Sequence, residues 1–344
     1  MIPFLDPWGA HMYSRRMNFG SPIFRRMVTI PAVTLAGVSL LGFSPLWILL
    51  VILVGIVRRK NFILFRLGVF GTVYCWAEIL GLVAVFFILL EGVFAPHRMP
   101  ARLHRLQNGW GYLLFSVAKR LLKLQFEVTG KESLRPSPFL LCLRHSSLLD
   151  TLIPAVFIGR PFHIQLRYIL KKELLLDPCL DIVGNLLPNY FVDRKANAIA
   201  EAKNIQTLAS GMTTGEAVLI YPEGTRFSLQ KQTQILARMR EKGHPLWEEA
   251  AELRHVLPPK TKGVEAMLQA TPSVDVVFCT HTGFEMFTDI RTVFSGAVLG
   301  QRIRIHFRRT VRSEIPAKTS ALPHWLFQEW KHIDRQIEEW VQGT

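Results

Sequence analysis

Between Val28 and Val57 the chain carries no charged residue. As one helix this stretch would run about 45 Å, well beyond a ~30 Å hydrocarbon core. Pro31 and Pro45 interrupt it. Proline removes a backbone donor and crowds the preceding turn, so the run reads as either one spanning helix with a kinked entry or two short limbs. A second apolar segment, Leu67 to Ala95, carries Glu78 and Glu91. A carboxyl group in hydrocarbon is costly without a partner or water, so Glu78 is expected to face another helix or an interface. The first part of the chain is thereby constrained to a polar basic lead (1–26) and a membrane-anchoring region (27–96).

The charge supports a membrane surface as partner. The net charge is +15 although 49% of the residues are apolar. Such a balance suits either nucleic acid or anionic lipid. No recognition helix, zinc pattern or RNA-binding signature is present, which argues against nucleic acid. Three basic clusters flank the apolar segments: Arg15, Arg16, Arg25 and Arg26; Arg58, Arg59, Lys60 and Arg66; and Arg98, Arg102 and Arg105. Two ordinary spans would put the middle cluster on the opposite side from the others, against the positive-inside rule. A re-entrant hairpin would keep all three on the cytoplasmic face, and both topologies stay open. The polar, arginine-containing lead is not expected to be a cleavable signal.

Cys75, Cys142, Cys179 and Cys279 are scattered without a C-x-x-C pair, which suits a reducing compartment and implies no metal site. Cys142 sits among apolar neighbours and reads as core. Beyond Pro96, Trp110, Leu113, Leu114, Val117, Leu121 and Leu124 recur at helical spacing, on a helix that belongs to the core or to a bilayer interface.

From Leu124 onward, short β-rich runs alternate with helix-like ones. The strands expected are Phe126–Val128, Phe139–Leu143, Leu166–Leu170, Tyr190–Val192, Ala217–Tyr221, Val274–Cys279 and Ile303–Phe307. The helices expected are Leu148–Ile158, Glu173–Leu187, Ala196–Met212 and Trp325–Trp340. This alternation predicts an α/β domain over 97–344, with a mixed, largely parallel sheet flanked by helices and a helical insertion at 228–254. The N-terminal hydrophobic region, transmembrane or re-entrant, precedes it.

Two stretches carry chemistry. In the first, the run to Leu143 delivers His145, and Asp150 follows five positions later. On one continuous helix these side chains would lie about 140° apart. For them to meet, His145 must sit at a strand end or turn and Asp150 in the next first turn. Asp150 would then set the imidazole tautomer and stabilise the imidazolium. The competing reading is a capping box, Ser147-x-x-Asp150, in which Asp150 only answers backbone N–H groups. The second stretch is Glu223-Gly224-Thr225-Arg226, after an apolar strand. Gly224 permits close backbone approach, Arg226 offers a fork for phosphate, and Glu223 orients that arginine or a substrate hydroxyl. Here the competing reading is a surface turn with an ion pair of little worth.

Together the two stretches resemble the strongest motifs of the glycerophospholipid acyltransferase family, which includes the 1-acylglycerol-3-phosphate acyltransferases. Gly184 to Arg194, ending Tyr190-Phe191-Val192-Asp193-Arg194, resembles the family's second block, and His255 to Gly263 its fourth. The resemblance covers roughly residues 104–285. Arg144 stands where asparagine is usual, and the 228–254 insertion lengthens the gap between the third and fourth blocks. With Leu257-Pro258-Pro259-Lys260-Thr261-Lys262-Gly263, that gap looks more like the lysocardiolipin-type subgroup.

The resemblance implies a membrane-bound acyltransferase with His145 and Asp150 catalytic and Arg194, Glu223, Gly224, Thr225 and Arg226 binding substrate. It implies no cofactor: acyl-coenzyme A or acyl carrier protein is the donor substrate. The acceptor is a lysophospholipid, foremost 1-acylglycerol 3-phosphate, which would give phosphatidic acid. Lysocardiolipin, an ornithine lipid, a transacylase reaction and a non-catalytic lipid-binding role are the alternatives. The catalytic domain is expected on the cytoplasmic face of a bacterial inner membrane or of the endoplasmic reticulum.

Overall fold

The computed structural model describes residues 21–57, 62–192 and 198–343. The chain forms two compact units. One reaches to Trp110 and takes in Lys172–Leu187; the other comprises Gly111–Lys171 and the chain from Pro188 onward.

The first unit is helical: α1 (Pro22–Gly42), α2 (Ser44–Val57), α3 (Ile63–Phe94) and the start of α4 (Met99–Leu121). Pro31 lies inside α1 without ending it, and the break comes at Phe43. Pro45 falls in the first turn of α2, where no intrahelical donor is lost. The uncharged run is therefore two helices. Among the described residues, α1 and α3 are long and apolar enough to cross a membrane. Leu35, Leu49, Phe86, Phe87 and Phe94 are all exposed, a surface suited to hydrocarbon rather than water.

Several buried polar side chains of this unit find partners within it. Glu78 is fully buried and its Oε2 accepts the Cys179 N–H at 3.0 Å. Tyr74 donates its hydroxyl to Asp177 at 2.7 Å. Arg25 and Arg26 do not stand open at a membrane edge, because both bind the buried Asp181, at 2.7 and 3.0 Å. Leaving one member of such a buried cluster unpaired costs about 3–5 kcal/mol. The helix expected over Glu173–Leu187 divides. A 3₁₀ turn (Lys172–Leu176) gives way to a helix at Pro178–Leu186, whose N-cap Asp177 accepts the Leu180 N–H. Pro178 has no N–H with which to continue the earlier turn.

The second unit holds a seven-stranded sheet: β1 (Gln125–Thr129), β2 (Phe139–Leu143), β3 (Gln165–Lys171), β4 (Tyr190–Val192), β5 (Glu216–Ile220), β6 (Asp275–Thr282) and β7 (Arg302–Thr310). The order is β1-β7-β6-β2-β5-β3-β4. Every pairing is parallel except β6 with β7. All seven expected strands form, in the mixed and largely parallel sheet that their alternation with helices predicts.

Each strand's burial follows its residues. β2 is apolar at every position and buried at every position, as a central strand covered on both faces must be. β7 alternates, with Ile303, Ile305 and Phe307 turned inward between Arg302, Arg304, His306 and Arg308. One face is covered by the helices Ala198–Ala209, Thr261–Ala270 and Leu322–Gln342. The last of these buries Leu326, Trp330, Ile333 and Ile337 at helical spacing. The 228–254 segment contributes two helices, Leu229–Glu241 and Trp247–Ala251, and packs Ala250 and Leu253 into the same core. Leu148–Ile158 is not one α-helix. A 3₁₀ turn (Leu149–Leu152) precedes a π-helical turn (Pro154–Gly159). Pro154 has no N–H to give the carbonyl four residues back, so an α-helical ladder cannot run through it.

Candidate active site

The site is assembled by strand register. Cys142 of β2 pairs with Ile220 of β5, and Leu143 of β2 with Cys279 of β6. The parallel strands β2 and β5 thus end side by side next to β6, and His145 and Glu223 each follow three residues beyond the Cys142–Ile220 pair. The carboxyl ends of parallel strands are where α/β sheets place their ligands.

His145 is only 5% exposed, and its Nδ1 lies 3.0 Å from Asp150 Oδ1. A carboxylate can only accept, so Nδ1 carries the proton and Nε2 keeps its lone pair. The other oxygen of Asp150 accepts the backbone N–H groups of Ser146 (2.6 Å) and Ser147 (2.7 Å). The imidazole partner and the turn cap are therefore the same residue.

Glu223 stands elsewhere than expected. It is 1% exposed, and its two oxygens accept the backbone N–H groups of His145 (2.9 Å) and Leu257 (3.0 Å). Burial pushes this carboxyl up to about 8, against the pull of Arg144 and of the two N–H donors. The side chain locks one loop to another and does not orient Arg226. Gly224 adopts φ +66°, and a Cβ there would come within 3.0 Å of Lys260 Nζ. The left-handed turn favours glycine, and a side chain there would also press on the flexible lysine across it. Among the described residues, no acceptor meets the Arg226 guanidinium, whereas its carbonyl accepts from Lys231 Nζ at 3.1 Å. Arg194, also expected to bind substrate, lies outside the described residues.

Arg144, the departure from the family pattern, is buried. It donates to the carbonyls of His281 (2.7 Å) and His255 (2.6 Å) and pairs with Glu285. It ties the end of β6 to the segments around His255 and Glu285 and is itself buried.

Sequence reasoning missed two neighbours of His145. His281, fully buried on β6, donates its Nε2–H to the Arg144 carbonyl at 2.9 Å. Its Nδ1 has no partner among the described residues, and burial holds the imidazole below its usual range. The Tyr221 ring lies 4.5 Å from the His145 ring. Neither has a signal in its local spacing, since both are placed by strand register.

The acyltransferase family model, described as "Acyltransferase", matches residues 125–282, from β1 to the end of β6. Over that stretch the chain is similar to the acyltransferases. A 1-acyl-sn-glycerol-3-phosphate acyltransferase of Saccharomyces cerevisiae is 30% identical over 125 residues, covering 35% of this chain and 39% of its own length. The epsilon form from Mus musculus is 23% identical over 226 residues, covering 58% of this chain and 57% of its own length. The chain spans between 39% and 57% of the length of those two relatives. A solved structure of the acyltransferase PlsC from Thermotoga maritima is a looser likeness, 17% identical with a TM-score of 0.49, over 77% of this chain and 96% of that one. The fold assignment rests on the sheet itself.

Proposed function

We propose that this acyltransferase moves a fatty acyl group from an acyl thioester to the free hydroxyl of a lysophospholipid. The acceptor we favour is 1-acylglycerol 3-phosphate and the product phosphatidic acid. The observation that carries the reading is the 3.0 Å contact between His145 Nδ1 and Asp150 Oδ1, which leaves Nε2 as the base. Nε2 takes the proton of the acceptor hydroxyl while that oxygen attacks the thioester carbonyl. The tetrahedral oxyanion collapses, the C–S bond breaks, and the thiolate recovers the proton from the imidazolium. Asp150 stabilises the imidazolium between those steps. No side-chain nucleophile is needed, because the acceptor hydroxyl plays that part.

The acceptor's phosphate meets Arg226, whose fork suits two phosphate oxygens, with Lys260 across the turn beside Gly224. Arg194 joins them on the family resemblance alone. The donor is acyl-coenzyme A or acyl carrier protein, and no cofactor takes part. The apolar helices α1 and α3 hold the protein at a membrane, with the catalytic unit on the cytoplasmic face. The 228–254 segment and the Leu257–Lys260 sequence favour, as a second reading, lysocardiolipin or another lysolipid as acceptor. The test is mass spectrometry of products formed by the purified full chain from acyl-coenzyme A or acyl carrier protein and a panel of lysophospholipids. Conversion of 1-acylglycerol 3-phosphate above the rest supports the first reading. Conversion of lysocardiolipin alone replaces it, and no acyl transfer to any acceptor refutes both.

A further inference from the structure

The 228–254 segment touches the site at both of its ends. At its start, Ser228 caps the helix Leu229–Glu241 by accepting the Lys231 N–H at 3.3 Å. That fixes Lys231 in the first turn, with its ammonium donating to Thr225 Oγ1 and to the Arg226 carbonyl, each at 3.1 Å. The next residue, Phe227, donates its N–H to the His145 carbonyl at 2.8 Å. At its far end, the N–H groups of Arg254 and His255 donate to Asp334 of the C-terminal helix, at 3.0 and 2.7 Å. The His255 carbonyl accepts from Arg144, and two residues on, Leu257 donates to Glu223.

We propose that this segment is a brace for the acceptor site and that Lys231 is its positioning residue. The Gly224–Arg226 turn contains a left-handed glycine and carries the guanidinium assigned above to the acceptor's phosphate. A turn of this kind can swing about its glycine unless its later carbonyl and side chain are held. Lys231 holds both through charge-assisted hydrogen bonds, which are stronger than neutral ones. It thereby sets the direction from which Arg226 meets the phosphate, without itself touching the substrate. The inference rests on the assignment of Arg226 to the acceptor.

The experiment compares the full-length enzyme with the K231M, K231R and R226K variants, measuring acceptor KM, donor KM, kcat and amide exchange over 224–227. K231M is expected to raise the acceptor KM about tenfold, the effect of one charge-assisted hydrogen bond. Donor KM should stay within about twofold, and exchange over 224–227 should quicken roughly tenfold. K231R can still donate to both oxygens and should recover most of the loss. An unchanged acceptor KM in K231M, with R226K raising it, overturns the role of Lys231 and leaves the phosphate assignment standing. An unchanged acceptor KM in both variants overturns that assignment and the inference with it. A K231M variant that loses kcat and both affinities together, with no rescue by K231R, shows a general folding role and also overturns the inference. Should no acceptor turn over, exchange over 224–227 decides: an unchanged rate in K231M refutes the brace.

Discussion

Asp150 gives one carboxylate oxygen to His145 and the other to its own turn. Oδ1 faces His145 Nδ1 at 3.0 Å, and Oδ2 accepts the N–H groups of Ser146 and Ser147 at 2.6 and 2.7 Å. The two backbone donors fix the carboxylate's rotation, so Oδ1 can point only at the imidazole. The cap thus pre-orders the pair and avoids an ordering cost at the moment of reaction.

This double duty predicts the outcome of Asp150→Asn. The amide oxygen remains with the two backbone N–H groups, and the NH2 then faces His145 Nδ1. Nδ1 must become the acceptor and Nε2 the protonated nitrogen, which cannot take a proton from the acceptor hydroxyl. Activity should fall on the order of 10²–10⁴. Stability should fall by only about 1 kcal/mol, because the cap is largely kept. Steady-state rates and thermal melts of this variant, His145→Ala and their double would check it, the double being little worse than His145→Ala. A fully active Asp150→Asn enzyme returns Asp150 to a purely structural role.

The second prediction concerns Arg226→Lys. The substitution keeps the charge and removes the fork, so it should raise the acceptor KM about tenfold and leave the donor KM nearly unchanged. Varying each substrate separately measures this. A rise confined to the donor KM would move Arg226 to the thioester side.

His281 yields a prediction about pH. Burial, the largest influence, lowers its pKa below the usual 6.5, as does Arg144, while Asp150 and Glu285 oppose them. The folded protein therefore resists a proton that the unfolded chain accepts below about pH 6.5. Stability from this residue is complete above 6.5 and is lost as pH falls toward the folded pKa, at a limit of about 1.4 kcal/mol per pH unit. His281→Gln keeps a donor for the Arg144 carbonyl and cannot titrate. Thermal melts at pH 7.5 and 5.5 should show the wild type losing more on acidification than the variant. Equal losses would remove His281 from the acid sensitivity.

The fourth prediction concerns sidedness. With the native cysteines replaced, single cysteines near residues 21–26, 58–60 and 98–105 should resist an impermeant thiol reagent applied outside intact cells. The connector 58–60 lies outside the described residues. Strong labelling at position 60 alone would establish two ordinary spans in place of a re-entrant hairpin.

What the sequence determined by itself was local. The β-rich runs Phe139–Leu143 and Ile303–Phe307 were legible as strands, and both form. The five-residue interval between His145 and Asp150 made their meeting in a turn possible, because it spans one change of chain direction. The extents of Leu148–Ile158 and Glu173–Leu187 were misread because Pro154 and Pro178 act on single hydrogen bonds that periodicity averages over.

The tertiary structure decided which groups share the site. Glu223 finds the N–H of His145 across 78 residues and that of Leu257 across 34. Arg25 finds Asp181 across 156. Spacing cannot encode these pairings, because strand register and helix packing bring the partners together only when the core closes. A carboxylate enclosed in that core must then take whatever donors the register supplies, and for Glu223 those were backbone amides rather than Arg226.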